Sequence, residues 1–99
     1  MNTNIPSPSP SPTLVSIITP TFNCEKFIAE TILSVQAQTY QDWELLIVDD
    51  CSTDKTVEII SSFQEKDSRI KYFYNTTNKG SAISRNIALQ NAKGKWIAF

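Results

Sequence analysis

The sequence predicts an α/β protein whose elements alternate β-α-β-α-β-α-β around a mostly parallel sheet. Three observations carry that prediction. Short runs rich in β-branched and aromatic residues recur along the chain, segments with apolar residues at helical spacing separate them, and polar clusters follow where the strands should end. Apolar strands of this kind need cover on both faces, which helical crossovers supply.

Ahead of this alternation, residues 5–13 repeat Pro and Ser, a composition that favours extended backbone and offers almost nothing to a core. Residues 1–13 are therefore expected to be a flexible Pro/Ser-rich tail and residues 14–99 the folded part. Leu14 to Thr19 reads as the first strand, ending at Pro20 where a turn begins. Asn23 can cap the next helix, in which Ile28, Ile32 and Val35 share a face that Phe27 and Leu33 widen. Trp43 to Val48 reads as a strand buried on both faces, delivering Asp49 and Asp50 at its carboxyl end.

Ser52 or Asp54 can cap a second helix, whose inward stripe is Val57, Ile60 and Phe63 with Ile59 beside them. Ile70 to Tyr74 makes a third strand. After a polar turn over residues 75–79, Gly80 can accept a tight backbone approach, and Ser81 can start a helix carrying Ala82, Ile83, Ile87 and Leu89. Gly94 marks its exit, and Lys95 to Phe99 has the alternation of a fourth strand. Phe27, Trp43, Phe63 and Trp96 are assigned to the core.

Composition narrows the chemistry. Nine Lys and Arg against ten Asp and Glu leave a formal charge of -1 over 99 residues, without the basic stripe that nucleic acid requires. Histidine is absent, so the two cysteines, Cys24 and Cys51, cannot complete the usual zinc sets, and they are read as ordinary thiols. No run approaches the ~20 apolar residues of a membrane span and no secretory signal is visible, so a cytoplasmic, reducing compartment is expected. Asn75-Thr76-Thr77 matches the N-glycosylation pattern with no targeting signal to accompany it.

In an open parallel sheet, ligands meet the loops beyond the strands' carboxyl ends, which directs attention to residues 19–25, 49–54 and 75–85. Thr19 and Asn23 offer hydrogen-bonding groups there, Pro20 holds a turn, and Phe22 offers an apolar surface to a ring. The bland alternative is a simple strand-to-helix turn in which Asn23 only caps. Asp49 and Asp50 point to opposite sides of an extended strand, so one can face a cleft while the other supports a loop. Arg85 carries a donor fork suited to phosphate oxygens or a base carbonyl, with an ion pair to Asp49 or Asp50 as its competing use.

Four stretches in order, Val15 to Asn23, Ser34 to Tyr40, Glu44 to Asp54 and Asn78 to Asn86, resemble the amino-terminal half of the inverting family-2 glycosyltransferases, which have the Rossmann-like GT-A fold. The resemblance implies that Thr19 and Pro20 lie in the first nucleotide-contacting loop, that Asp50 reads the base with Asp49 in support, and that Arg85 contacts base or phosphate. It further implies that Gly80 permits close approach of the third loop, while Asn23 and Asp54 organise helix starts. The donor would be a nucleotide-diphosphate sugar, and the acceptor a saccharide, lipid-linked or other hydroxyl.

A divalent cation, Mn2+ or Mg2+, would be held by an acidic Asp-x-Asp-type motif expected after Phe99, as would the catalytic base, so no metal ligand or catalytic residue is assigned within the chain. Transfer is expected of a longer parent enzyme, in the cytoplasm or at the inner face of a membrane, and not of the 99 residues alone. Two alternatives stand beside this reading: a nucleotide-binding module without catalysis, and a receiver-like signalling domain, which also places paired acids at a strand end.

Overall fold

The computed structural model describes residues 12–99, and most of the expected tail, residues 1–11, lies outside the described residues. The elements are β1 (Val15–Thr21), α1 (Ile28–Ala37), β2 (Trp43–Asp49), α2 (Thr56–Lys66), β3 (Ile70–Tyr74), α3 (Ser81–Asn91) and β4 (Trp96–Ala98). Every strand pair is parallel and the sheet order is β3-β2-β1-β4. The chain thus steps outward from β1 to β3, then returns to place β4 on the other side of β1, the Rossmann-like arrangement with its switch point beside β1. A receiver domain would seat β3 directly against β1, so the order removes that alternative.

The central strand explains the two-layered core. Trp43, Leu45 and Ile47 of β2 face α1 and α2, where they meet Ile28, Ile32, Ile60 and Ile70. Leu46 and Val48 point to the opposite face and join Ile18 and Ala88 beneath α3. Every residue of β2 is buried, as its apolar run predicts, and each such large side chain contributes about 1.5–3 kcal/mol through area removed from water.

Several local expectations are corrected. Pro20 does not end β1 but pairs in register with Val48, and the strand continues to Thr21. Alternate residues of a parallel strand aim their backbone groups at opposite neighbours, and the Thr21 carbonyl accepts from Asp50 N–H on the β2 side. Pro20 therefore faces the β4 side, where pairing covers only Val15 to Ile17 and no ladder donor is needed.

On α1, Phe27 and Leu33 are exposed, 66% and 54% respectively, because Ile28 and Ile32 already fill the space over the sheet. On α3, Ser84 and Ala88 form the buried stripe, whereas Ala82, Ile83 and Leu89 face outward. Small residues four apart let this helix lie close to the sheet and push its larger side chains to the flanks. Trp96 also departs from its expected core position, with 61% of its surface exposed on a strand of three residues. Thr13, at the edge of the expected tail, hydrogen-bonds to Asp42 and through its carbonyl to the Tyr40 hydroxyl.

Candidate functional site

The loops after β1 and β2 are laced together by a relay of hydroxyls. Asn23 N–H donates to Ser52 Oγ at 2.8 Å, and that hydroxyl donates to Asp49 Oδ1 at 2.6 Å. Cys24 N–H donates to Thr56 Oγ1 at 2.8 Å, whose own proton goes to Asp54 Oδ1 at 2.5 Å. Thr21 adds its hydroxyl to Asp49 Oδ1, and Ser52 N–H occupies Oδ2, so the fully buried Asp49 is a clamp between the two loops. Asn23 also accepts Thr53 N–H at 2.9 Å and does not cap α1, which begins five residues later without a side-chain cap.

Asp54 does organise the start of α2, taking Thr56 N–H at 2.9 Å and Glu25 N–H at 3.2 Å. Partial burial pushes its carboxyl up, but the Thr56 hydroxyl and these N–H groups outweigh it and hold it below the ordinary value. Asn23 and Cys51 both adopt left-handed backbone, with φ of 49° and 64°. That conformation suits Asn better than Cys, so strain sits where the loops meet.

Asp50 serves the third loop. Its Oδ1 accepts Lys79 N–H at 2.7 Å and the Asn75 amide at 3.0 Å, and its Oδ2 accepts Gly80 N–H at 2.9 Å. The Lys79 N–H and then the Asn75 amide hold this carboxyl below its ordinary range, against the opposing effect of burial. Its charge stands at the N-terminus of α3, where the helix dipole favours an anion. Gly80 has φ of +87°, and a Cβ there would meet nothing within 4 Å. The residue is needed for its backbone conformation, and the space above it is open.

A cavity of about 130 Å³ lies among these elements, lined by Pro20, Thr21, Phe22, Asp50, Ser81 and Ser84. Pro20, Phe22 and Asp50 are among the site residues expected from the sequence, while Thr21, Ser81 and Ser84 are not, Ser81 being expected only to start the helix. Ser81 and Ser84 sit three apart on one face of α3, the spacing that could have revealed them once the helix was known to face the site. Thr19, Asn23, Asp49, Gly80 and Arg85 stand outside the cavity wall. Arg85 is exposed and, among the described residues, forms no ion pair, so the expected alternative pairing with Asp49 or Asp50 is not made. Asn75 is buried with its amide engaged, which leaves the glycosylation pattern no accessible acceptor nitrogen.

The sequence profile of glycosyl transferase family 2 matches residues 16–99, from the second residue of β1 to the last residue of the chain. The chain belongs to that family. Among relatives of this family-2 chain, an Escherichia coli protein named UDP-Glc:alpha-D-GlcNAc-diphosphoundecaprenol beta-1,3-glucosyltransferase WfgD is 50% identical over 86 residues, covering 87% of this chain and 33% of that protein. S. aureus TarS 1-349 in complex with UDP superposes with a TM-score of 0.78 at 36% identity, over 86% of this chain and 26% of that one. The mannosyltransferase PcManGT from Pyrobaculum calidifontis, in complex with GDP-Man and Mn2+, gives 0.75 at 28% identity, over 87% and 26%. The chain spans about a third of the length of the curated relatives it matches first.

The described residues of this family-2 chain do not make a divalent-cation site. No group of three or more His, Cys, Asp or Glu is placed to hold a metal ion among them, and the Asp49 and Asp50 carboxylates are each spent on three internal hydrogen bonds. Among the described residues no helix is long and apolar enough to cross a membrane.

Proposed function

We propose that this chain is the donor-binding half of an enzyme that moves a sugar from a nucleotide-diphosphate sugar to an acceptor hydroxyl with inversion. The observation that carries the reading is the cavity where the carboxyl ends of β1 and β2 meet the first turn of α3, the position at which an open parallel sheet takes its ligand. UDP and GDP-Man in the two solved relatives lend it chemistry. Phe22 offers a ring face at the cavity, Pro20 forms part of one wall, and Thr19 precedes it on β1 behind that wall. Asp50 Oδ2 accepts one bond against two on Oδ1, and its remaining acceptor direction suits a base N–H. Asn23 and Asp49 keep the loops in place, Gly80 leaves the approach open, and Arg85 supplies a fork for the diphosphate or the base.

In the reaction itself, the acceptor oxygen bonds to the anomeric carbon as the opposite carbon–oxygen bond breaks, its electron pair leaving with the nucleoside diphosphate. The hydroxyl proton goes to a carboxylate base of the longer protein, and no catalytic residue is assigned to residues 12–99. The divalent cation, Mn2+ or Mg2+, and the acceptor, whether saccharide, lipid-linked or another hydroxyl compound, are likewise assigned to that longer protein. Its place is the cytoplasm or the inner face of a membrane, with residues 1–13 as a tail ahead of the donor-binding domain. Binding without efficient transfer is the behaviour expected of the 99 residues alone.

Calorimetric titration of the chain with uridine and guanosine diphosphates, with and without manganese, tests the proposal. Binding of either nucleotide that is lost in Asp50→Ala while the circular dichroism spectrum is retained supports it. Binding of neither, or binding indifferent to Asp50→Ala, rejects it.

A further inference from the structure

Asn75 follows β3 directly and is 95% buried, since only 5% of its surface is exposed. Its backbone N–H is fixed to the Asp49 carbonyl at 2.8 Å, which ties the residue to the end of β2. Its amide nitrogen carries two hydrogens and makes two bonds, to Asp50 Oδ1 at 3.0 Å and to Ser84 Oγ at 3.1 Å. Asp50 and Ser84 both line the cavity, one from the end of β2 and the other from α3, whereas Asn75 itself does not reach it.

We propose that Asn75 is a positioning residue for the nucleotide: by bonding Asp50 and Ser84 at once, it sets the spacing between the end of β2 and the first turns of α3, and so the width of the cavity. The inference rests on the nucleotide reading of that cavity. Without the amide, Asp50 still holds the Lys79 and Gly80 N–H groups, but Ser84 loses its donor and α3 keeps no side-chain tie to β2 through this residue. A buried amide bonded on both hydrogens costs more to remove than a surface one, because the groups left behind are cut off from water.

The device is strongest while Asp50 is charged, which gives it a signature in pH. Lys79 of the third loop faces the carboxylate and attracts it, Asp49 precedes it in the chain, Tyr74 ends β3 next to Asn75, and Arg85 lies on the helix that the loop feeds. Hydrogen bonds to the charged form depress the Asp50 pKa, so the clamp is at full strength above the ordinary carboxylate range and weakens as pH falls through the depressed value. Taking away the Asn75 donor moves the protonation of Asp50, and the weakening of its bonds to Lys79 and Gly80, to higher pH.

Titration of the wild type and Asn75→Ala with uridine and guanosine diphosphates, from about pH 2 to about pH 8, reads both consequences. Affinity near neutral pH is expected to fall about five- to tenfold, with the acid limb of the profile displaced upward. Superimposable affinity profiles, with only a lower unfolding midpoint, overturn the proposal, since they leave Asn75 a supporting role alone. Should Asn75→Ala not fold, Ser84→Ala cuts the other end of the bridge: a loss of affinity with an unmoved acid limb supports the proposal, and unchanged affinity overturns it.

Failure of the wild type to bind either nucleotide defeats the functional reading and leaves the positioning claim to amide exchange at Lys79 and Gly80. Exchange about tenfold faster in Asn75→Ala then supports it, and unchanged exchange overturns it.

Discussion

The two ends of the sheet hold their buried and half-buried carboxylates in different ways. At the amino end, Glu44 is neutralised by Lys71 Nζ at 2.9 Å and further bonded by the Ser16 hydroxyl and Lys93 N–H at 2.6 Å each. Asp67 pairs with Arg69 at 2.9 Å, and the same guanidinium lies 3.8 Å over the Trp43 ring. At the carboxyl end, Asp49, Asp50 and Asp54 are held by hydroxyls, an amide and backbone N–H groups, with no cation in direct contact among the described residues. Neutral donors satisfy a carboxylate without cancelling its charge, and they leave the Arg85 guanidinium uncommitted. One end pairs its carboxylates with cations, and the other satisfies them with neutral donors. A larger hollow of about 440 Å³ does lie at the amino end, but its Glu44, Arg69 and Lys71 are already paired.

The strongest way to break this comparison is at the glycines. A Cβ on Gly94 would stand 2.5 Å from Ser16 Oγ, 2.6 Å from Ser16 N and 2.8 Å from the Leu14 carbonyl. Two of those atoms are backbone, of β1 and of the residue before it, and cannot swing aside. Gly94→Ala is expected to cost about 2–3 kcal/mol in urea unfolding. Gly80→Ala meets no atom and is charged only for its left-handed conformation, about 1 kcal/mol. Equal costs for the two would show that the amino end is no more tightly built than the site.

A smaller effect sharpens the electrostatic side. The Arg69 guanidinium, with help from the Gln36 amide, holds the Asp67 carboxyl down at about 2 against an ordinary 3.8, while burial opposes it. A depressed carboxyl stabilises the fold fully above its ordinary pKa and loses that contribution as pH falls through the lower value. Stability should therefore drop by about 1–2 kcal/mol between about pH 4 and pH 2, discounted because the Arg69 side chain is one-third exposed. Urea midpoints across that range measure it, and Asp67→Asn should flatten that part of the slope. A slope unchanged in Asp67→Asn would remove the ion pair from the account.

Much of the fold was legible because β2 announces itself: an apolar run too short for a helix, ending in two acids, implies burial on both faces and hence helices on both sides. Pro20 was misplaced because its tolerance depends on which neighbour strand lies beside it, a fact of sheet order and not of local sequence. The face of α3 was misjudged for a related reason, since periodicity favours large apolar residues while close helix–sheet contact selects Ser84 and Ala88. At the candidate site, the motifs pointed to loops that the fold gathers around one cavity. They did not show that Asn23 bonds across to Thr53, or that Asp50 reaches the Lys79 and Gly80 amides, because those partners lie about thirty residues away and meet only in the fold.

Arg85 gives the smallest effect on stability and the most direct reading of the carboxyl end. It is exposed and makes no ion pair among the described residues, so Arg85→Ala should leave urea unfolding within about 0.5 kcal/mol of the wild type. If the guanidinium is kept for a diphosphate, the same change should weaken nucleoside diphosphate binding about tenfold and flatten its dependence on salt, because a charge-assisted contact has been lost. Arg85→Lys retains the charge without the planar fork and should fall between the two. Calorimetry at two ionic strengths separates the cases. Destabilisation by more than about 1 kcal/mol would return Arg85 to the fold, and unchanged affinity would remove its guanidinium from the proposed nucleotide contacts.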